Sequence, residues 1–315
     1  MVKKIAETLL GRDRIMILFH ASPDGDAVGS AAALLRALRK KGKTADMRCC
    51  DPVPGKLRFL LEDLDAIPEF EADYVVAVDV ADIRLLGKLR DSYEGKIDLA
   101  IDHHAGHTAF AELDYVDCAA ASNTEIIFRI LKAMNAEIDS KTADAVYTGL
   151  TTDTGCFKYR NVTADSHEIA AELIRRGART GDINHRMFET QTRGQVQAET
   201  AILGTMEFHF DGKCALMKVS SEIMEKYGLE EDDANAYVSR PREVLGVLAG
   251  ITLKQKEQKL VKISFRTNPP ANASELAGLL GGGGHAGAAG CSYKGTLREA
   301  REAVLKCCGE YLQRL

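Results

Sequence analysis

The chain has 315 residues, of which 45% are hydrophobic and 28% charged, and its formal net charge is −5 at pH 7. This length suits two hydrophobic cores, and the balance of residue types is that of an ordinary globular protein. No apolar stretch reaches the roughly 18–20 residues of a membrane-spanning helix. An acidic chain is also a poor ligand for long duplex DNA, since neutralising phosphates drives that affinity. We therefore expect neither a membrane nor long duplex DNA as a partner.

The N-terminus and the cysteines both indicate a cytoplasmic protein. Charged residues such as Glu7 and Arg12 interrupt the apolar core that a secretory signal peptide requires. None of the eight cysteines lies in a Cys-x-x-Cys arrangement. This usage is typical of reduced thiols in a reducing compartment, and it disfavours a structural zinc site.

Apolar runs alternate with helical patterns in the first part of the chain. Short runs rich in β-branched residues predict strands buried on both faces, as in a parallel sheet. Strand–helix alternation favours a doubly wound, mainly parallel sheet, in which ligands bind at the carboxyl ends of the strands. The strands are expected at residues 14–19, 45–50, 74–78 and 97–101, and the helices at residues 5–10, 27–40, 56–64, 84–93, 126–134, 143–150 and 163–177.

Acidic and imidazole side chains follow three of these strands at the point where each strand ends. Because the carboxyl ends of parallel strands meet at one edge, we expect these side chains to line that edge together. For Asp26 alone, an N-cap of the following helix is the alternative. The side chains are His20, Asp24 and Asp26 after the first strand, Asp79 after the third, and Asp102, His103 and His104 after the fourth.

Two further polar sites lie near helix ends. Asp153 follows a helix that stops at Gly155, where the negative end of the helix dipole disfavours an acid. A neighbouring cation would remove this penalty, and an acid in solvent is the alternative. Ser122 opens another helix, with Glu125 three residues on, which is typical of a capping box; contact with a substrate is the alternative.

The collected side chains predict a binuclear metal site. The seven acidic and imidazole side chains that follow the strands, together with Asp153, offer eight oxygen and nitrogen ligands without a thiolate. One ion requires fewer. Two divalent ions roughly 3.5–4 Å apart would use them, activate a water and clamp the oxygens of a phosphoryl group. Carboxylates with some imidazole favour Mn²⁺ over Zn²⁺, with Mg²⁺ or Co²⁺ as alternatives.

The composition becomes polar and Gln/Thr-rich near residue 189, which predicts a domain boundary and hinge. We therefore divide the chain into a metal-binding domain at residues 1–188, a linker at 189–205 and a smaller α/β domain with a mixed sheet at 206–315. In this last part, strands are expected at residues 207–210, 214–219, 245–253, 259–266 and 288–293, and helices at 222–227, 273–280 and 296–311, with a further helix opening at 233.

A glycine run and an arginine in the second part indicate phosphate recognition. Gly282, Gly283 and Gly284 let backbone N–H groups approach a phosphate, and His285 adds charge or a hydrogen bond. Arg266 ends a strand and can present its guanidinium to a phosphate or carboxylate. The alternatives are a flexible linker and an ordinary surface arginine.

These motifs together resemble a known family. The four groups around His20, Asp79, Asp102 and Asp153 look like the four motifs of the DHH phosphoesterase superfamily. The Ser-Phe-Arg sequence that ends at Arg266, with the glycine run, resembles the signature of the DHH-associated C-terminal domain. The resemblance covers nearly the whole chain, with six motifs in the right order.

The resemblance implies a role for each matching residue. One ion would be held by His20, Asp24 and Asp79, and the other by Asp26, Asp79, His103 and Asp153, with Asp79 bridging. His104 would face the substrate as phosphate contact or general acid, and Asp102 would orient the imidazoles. Substrate-binding residues would be Arg266, Gly282, Gly283, Gly284 and His285, with Ser122 as a further candidate.

Within the superfamily, a two-domain chain of this length is similar to the bacterial bifunctional oligoribonucleases that also dephosphorylate 3′-phosphoadenosine 5′-phosphate (pAp). This implies a Mn²⁺-dependent hydrolase of di- to pentanucleotides, of RNA or DNA, and of pAp. The alternatives are a phosphodiesterase for linear or cyclic dinucleotide signals of the pApA or cyclic-di-AMP type and, less favoured, a single-strand-specific exonuclease. A homodimer is also a candidate state.

Overall fold

The first part of the chain is built around a five-stranded parallel sheet. The computed structural model describes the backbone of all 315 residues and every side chain except those of residues 231 and 232. The sheet has the order β2-β1-β3-β4-β5, and every neighbouring pair is parallel. Its strands are β1 (Ile15–Leu18), β2 (Ala45–Arg48), β3 (Tyr74–Val78), β4 (Leu99–Asp102) and β5 (Leu113–Val116).

Both faces of this sheet are covered, which is why its central strands are continuous apolar runs. Alternate residues of β1, β3 and β4 face a large core under helices, and the others face a smaller core on the opposite side. This confirms the predicted doubly wound α/β class. The helices are α1 (Val2–Gly11), α2 (Gly25–Lys40), α3 (Arg90–Tyr93), α4 (Asn123–Ala133), α5 (Ser140–Asp153), α6 (Ala164–Arg175) and α7 (Thr180–Asn184).

Helices α2 and α5 approach each other unusually closely. A Cβ at Gly29 would lie 2.4 Å from the carbonyl oxygen of Ala145, and one at Gly25 would lie 2.4 Å from Oγ1 of Thr152. Only glycine permits backbones this close. The contact places the first turn of α2 beside the last turn of α5, and so brings the segments of Asp26 and Asp153 together.

The second unit, Gln191–Leu315, has a mixed six-stranded sheet of order β10-β11-β9-β8-β7-β6. The β7–β8 pair is parallel and the other pairs are antiparallel. Its strands are β6 (Glu207–His209), β7 (Cys214–Val219), β8 (Ala249–Glu257), β9 (Leu260–Thr267), β10 (Gly283–His285) and β11 (Ala288–Lys294); its helices are α8 (Arg193–Leu203), α9 (Ser221–Tyr227), α10 (Glu231–Asn235), α11 (Ala273–Gly278) and α12 (Leu297–Leu312).

Several elements differ from the sequence-based expectation. The segment at residues 56–64 is a short 3₁₀ turn (Gly55–Leu60), and the one at 84–93 is interrupted at Gly87, whose φ is +56°. The helix expected to open at residue 233 instead ends at Asn235. Strand β8 begins at Ala249, four residues late, because a left-handed Gly246 turns the chain before it.

Four regular elements were missed: β5, α7, α8 and β10. Residues 189–205, expected as a linker, contain α8, and the first unit ends at Thr190. Strand β5 was not predicted, because its four residues are only half-buried at the sheet edge and carry no long apolar run. No helix among the described residues combines the length and the apolarity that a bilayer crossing demands.

Candidate metal centre

The ends of three neighbouring strands bring the carboxylates and imidazoles together. Because β1, β3 and β4 are adjacent and parallel, the residues that follow them meet at one edge of the sheet. Within each of three overlapping groups, the nearest ligand atoms lie within 4.8 Å of one another. The groups are His20, Asp24 and Asp79; Asp26, His103 and Asp153; and Asp79, His103 and His104.

Asp79 lies at the centre of this arrangement. Its side chain is buried, and its backbone adopts a left-handed conformation with a φ of +58°, which is rare for a residue other than glycine. The backbone N–H donates to the carbonyl of Ile101 at 2.9 Å, which holds the turn to the end of β4. Such strained, well-anchored residues are typical of functional sites.

The imidazoles of His20 and His103 are oriented alike. The Nδ1 atom of His20 lies 2.8 Å from the carbonyl oxygen of Ala21, and that of His103 lies 3.3 Å from the carbonyl oxygen of Ala120. With the Nδ1 proton donated to a carbonyl, Nε2 carries a lone pair toward the carboxylates. Nε2 of His20 is 3.7 Å from Asp79, and Nε2 of His103 is 3.3 Å from Asp153.

These donors suit a divalent cation. Nε2 of His103 and Oδ1 of Asp79 are buried, lie 3.7 Å apart, and have no hydrogen-bond partner among the described residues. Two buried acceptors facing each other repel unless a cation or a proton lies between them. Oxygen and imidazole ligands with their second ring nitrogen tied to a carbonyl are the usual form of a Mn²⁺ or Zn²⁺ site.

Asp24, and not Asp26, is the N-cap of the helix that follows the first strand. Its Oδ1 accepts the N–H groups of Asp26 and Ala27 at 3.0 and 3.1 Å. Asp26, for which the N-cap was the alternative to a ligand role, is fully buried and accepts the N–H groups of Asn123 and Thr124 at 2.6 and 2.9 Å. It is therefore bonded to the first turn of α4, and its Oδ2 lies 3.7 Å from Nε2 of His103.

Charges concentrated in this buried cluster shift its proton affinities. Burial, then the charge of Asp24, raises the pKa of Asp26 to about 7. Burial, then Asp26, raises the pKa of Asp79 to about 6 and that of Asp153 to about 10. Burial opposes protonation of His20, but contacts with Asp24 and Asp79 outweigh it and raise its pKa to about 11. Burial and the repulsion among the carboxylates together raise the pKa values of the three acids, and a bound divalent ion would offset both.

Asp102 is a hydrogen-bond centre for the histidine segment. Its fully buried carboxylate accepts three hydrogen bonds: from the N–H of His103 at 2.8 Å, from Nδ1 of His104 at 2.8 Å and from Nδ1 of His107 at 2.7 Å. Burial acts against ionisation, but the bonds from His104 and His107 outweigh it and lower the pKa of Asp102 to about 2. Asp102 thus contacts the ring of His104 but only the backbone of His103.

His107 was not singled out from the sequence. Its side chain is almost fully buried, and its Nε2 lies 2.9 Å from Oδ1 of Asp114 on β5, so the ring bridges two carboxylates. The available signal was a third histidine five residues after Asp102, which has no characteristic spacing. Asn161 was missed in the same way: its amide donates to the carbonyls of Ala121 and Asp153 at 2.9 and 3.1 Å.

Ser122 is a structural residue in this arrangement. It is fully buried, and its Oγ accepts the N–H of Glu125 at 3.3 Å as the N-cap of α4. Glu125 does not return the bond of a capping box, because its carboxylate accepts from Ser166 at 2.6 Å instead. A buried cap has no surface to offer a substrate.

In the second unit, Arg266 and His285 lie in one row across the sheet. Both are paired with Ala288 of β11, Arg266 from β9 and His285 from β10. Directly paired residues share a face, so the two side chains project from the same face about 10 Å apart, two strand spacings.

The glycine run is ordered as a strand in place of a flexible linker. A Cβ at Gly282 would lie 2.3 Å from the carbonyl oxygen of Gly290, and one at Gly284 would lie 2.6 Å from Cα of Ala289. These two glycines are therefore required by packing on β11. Gly283 has nothing within 4 Å of its Cβ position, so its backbone is open to a ligand.

Comparison with known proteins agrees with this geometry. The DHH family N-terminal domain matches residues 14–150, and the DHHA1 domain matches residues 211–312. The chain is 34% identical to the bifunctional oligoribonuclease and PAP phosphatase NrnA of Thermus thermophilus, over 95% of this chain and 90% of the relative.

Two further matches extend the comparison. The cyclic-di-AMP phosphodiesterase GdpP of Geobacillus thermodenitrificans is 23% identical over 98% of this chain and 49% of the relative. A crystal structure of an exopolyphosphatase-related protein from Bacteroides fragilis superposes with a TM-score of 0.89 and 25% identity, over 98% of this chain and 96% of that one. The family predicted from the sequence is thereby confirmed: this chain belongs to the DHH family of phosphoesterases and carries a DHH domain followed by a DHHA1 domain.

Proposed function

We propose that this protein is a Mn²⁺-dependent hydrolase that degrades short oligonucleotides to mononucleotides and dephosphorylates pAp. The observation that carries the proposal is the buried pair of unpartnered acceptors, Asp79 Oδ1 and His103 Nε2, shared by overlapping ligand groups. The 34% identity with an oligoribonuclease and PAP phosphatase supports the choice of substrates.

We assign these residues to two ion sites with one residue in common. His20, Asp24 and Asp79 would hold one ion; Asp26, Asp79, His103 and Asp153 would hold the other. When bound, such ions supply an activated water and charge neutralisation for a phosphoryl group. The chain's own contribution is to keep these ligands fixed, since Asp26 is bonded to the start of α4 and both histidines are bonded to carbonyls.

His104 is placed to give a proton to the leaving group. Its Nδ1 is held by Asp102, while 48% of its side chain is exposed, so Nε2 is available to a substrate. The hydrogen bond that His104 donates to Asp102 and the charge of Asp79 outweigh burial and raise the pKa of His104. A larger share of the ring is therefore protonated at neutral pH, as a general acid requires.

His107 is expected to support this step through Asp102. Replacing His107 with Ala removes one of the three bonds that fix the Asp102 carboxylate, and we expect kcat to fall about 10- to 100-fold with little change in KM. Steady-state kinetics with Mn²⁺ measure this. Thr108→Ala, an exposed neighbour, is the matched control and should retain the wild-type rate. Wild-type kcat in His107→Ala would contradict the role.

Arg266 and His285 are proposed to bind the terminal phosphate of the substrate. We expect Arg266→Ala or His285→Ala to raise KM roughly tenfold or more for 5′-phosphorylated dinucleotides and pAp, because each loses a hydrogen bond to a charged group. Arg266→Lys keeps the positive charge but lacks the planar guanidinium, so its KM should lie between that of the wild type and that of Arg266→Ala. Arg298→Ala, on an exposed face of α12, is the control. Equal losses on a chromogenic diester without a charged end would contradict this assignment.

One assay tests the proposed function as a whole. The Mn²⁺-loaded protein is offered pAp, a 5′-phosphorylated dinucleotide, a labelled pentamer and a cyclic dinucleotide side by side, and the products are resolved. We expect turnover of the first three, with mononucleotides as the end products. The proposal would be wrong if the protein hydrolysed none of these nucleotides in the presence of Mn²⁺, Mg²⁺ or Co²⁺.

The second candidate is a phosphodiesterase for linear or cyclic dinucleotide signals. It is favoured by the match to a cyclic-di-AMP phosphodiesterase across 98% of this chain. In the same assay this candidate predicts fastest turnover of the cyclic dinucleotide or its linear product, and slow turnover of pAp and the pentamer. Activity on both RNA and DNA, and the homodimer, are further predictions from the sequence.

A further inference from the structure

The loop after Asp153 presents an aromatic ring that neither the metal ligands nor the phosphate-binding residues account for. The ring is that of Tyr159, which is 58% exposed. We propose that Tyr159 is a stacking platform for a nucleobase of the substrate. This inference rests on the proposed function, because only a nucleotide substrate brings a base to this site.

The loop is held in a strained but well-determined turn. Gly155, Cys156 and Phe157 have φ values of +55°, +58° and +60°, a left-handed run that residues with a side chain rarely adopt. Cys156 N–H donates to the carbonyl of Thr151 at 2.7 Å, and Tyr159 N–H donates to that of Thr154 at 3.0 Å. Non-glycine residues remain in such a conformation only where their surroundings impose it, commonly at functional sites.

The turn separates an inward ring from an outward one. Phe157 stacks on His167 with ring centres 5.2 Å apart and an angle of 23° between the planes. That contact anchors the loop to α6. Two residues later, Tyr159 is mostly exposed, while its backbone N–H is bonded to the carbonyl of Thr154. The exposed ring is therefore displayed on a fixed backbone.

Tyr159 rests by one face on a glycine. A Cβ built on Gly155 would lie 2.3, 2.4 and 2.6 Å from Cζ, Cε1 and Cε2 of the ring. Three nearly equal distances to adjacent ring atoms mean that Gly155 lies under the face of the ring, since an edge contact would give unequal ones. Because Tyr159 is 58% exposed with one face over Gly155, the opposite face is left for a planar group to stack on.

The platform lies close to the metal ligands. Gly155 is two residues after Asp153, a backbone span of at most about 7 Å. Asn161 ties the other end of the loop to the same place, because its amide donates to the Asp153 carbonyl at 3.1 Å. A phosphate bound at the carboxylate–imidazole cluster is separated from its base by one ribose, a span comparable with this distance.

The chemistry of the loop suits a nucleotide of any base. Aromatic rings bind bases through their π-faces with little preference for sequence. Exposed Lys158 and Arg160 flank the ring and add positive charge for the phosphodiester chain. A degradative enzyme for short oligonucleotides needs this tolerance.

The alternative is that Tyr159 only covers Gly155, and three variants of the full-length protein separate the two roles. Tyr159→Phe keeps an aromatic face, Tyr159→Leu keeps an apolar cover without one, and Tyr159→Ala removes both. Each is assayed with Mn²⁺ on a 5′-phosphorylated dinucleotide and on two matched analogues that each lack one base. Phe188→Ala, which truncates another exposed aromatic residue, is the control.

We expect Tyr159→Ala and Tyr159→Leu to raise KM for the dinucleotide about 10- to 100-fold, the effect of losing one base–aromatic stack, and Tyr159→Phe to restore it. On one of the two base-deleted analogues the variants should match the wild type, which identifies the stacked nucleotide. Equilibrium binding of AMP and ribose 5-phosphate to the Mn²⁺-loaded protein gives a second readout: only AMP binding should weaken.

Two kinds of outcome would overturn the inference. If Tyr159→Leu behaves as wild type, or if the variants lose equally on complete and base-deleted substrates, the ring is a cover only. If the wild-type protein hydrolyses no nucleotide at all, the proposed function fails and the stacking role fails with it. The first result leaves the hydrolase intact, so the two failures are distinguishable.

Discussion

Replacing Asp79 with asparagine is expected to lower kcat/KM by more than about 10³-fold, beyond the loss that removal of a single hydrogen-bond donor causes. Asp79 contributes to two of the three ligand groups, and its Oδ1 is buried opposite His103 Nε2 without a hydrogen-bond partner among the described residues. An amide nitrogen in place of one oxygen cannot ligate a cation. Both proposed sites would therefore be damaged by one substitution.

The measurement combines Mn²⁺-dependent turnover of a dinucleotide with the number of Mn²⁺ ions bound at equilibrium. Asp82→Asn is the matched control, since Asp82 is a carboxylate three residues along whose partners are Arg84 and Thr108. The control should keep both its activity and its metal content. Mn²⁺-dependent activity retained in Asp79→Asn would rule out a two-ion site bridged by this residue.

Removal of divalent ions by a chelator is expected to make thermal stability fall as the pH rises from 5 to 8. In the metal-free protein the pKa of Asp79 is about 6 and that of Asp26 about 7, both above the ordinary value of 3.8. A carboxyl whose pKa is raised by folding stabilises the protein below its unfolded pKa, and that contribution is lost as the pH passes the folded value. His20, with a pKa of about 11, acts in the same direction above about pH 6.5.

Added Mn²⁺ should reverse this trend, because the ion replaces the protons that the carboxylates otherwise retain. At about 1,000 times the dissociation constant, binding contributes roughly 4 kcal/mol, which corresponds to a rise in Tm on the order of 10 °C at pH 8. The rise should be smaller at pH 5, where protons compete. Melting curves with chelator and with Mn²⁺ at both pH values check it.

Two results would count against this reading of the cluster. One is a chelated protein whose Tm does not change with pH, and the other is a larger effect of Mn²⁺ at pH 5 than at pH 8. Asp102 is an internal reference: its pKa is lowered to about 2, so its contribution is constant across this range and is lost only on strong acidification.

The strand ends were predictable because two signals coincide there. Strands such as β1, β3 and β4 are buried on both faces and so read as unbroken apolar runs, and a polar residue that ends such a run is conspicuous. Parallel topology then places successive strand ends at one edge. Of the eight residues expected to share a site, seven lie in overlapping groups, and Asp102 lies outside them.

Local roles were less predictable than positions. Asp24 and not Asp26 caps α2, since capping depends on the phase of the turn to within one residue, and a sequence of two acids separated by a glycine fits either choice. Edge strand β5 and helix α8 were missed because neither has a long buried face. The glycine run was predicted only from its capacity to bind phosphate, and its strand structure was missed, although packing on β11 requires two of its glycines.

By itself the sequence determined the α/β class, the family and which acidic and imidazole side chains gather at the strand ends near Asp102, because strand periodicity and motif order are local properties of the chain. Only the tertiary structure decided how that set is divided. Asp102 supports His104 and His107 by hydrogen bonds, His103 turns its Nε2 toward Asp26 and Asp153, and Tyr159 rests on Gly155. These relations depend on which atoms face each other in the folded protein. The spacing of residues that are distant in sequence does not predict such contacts.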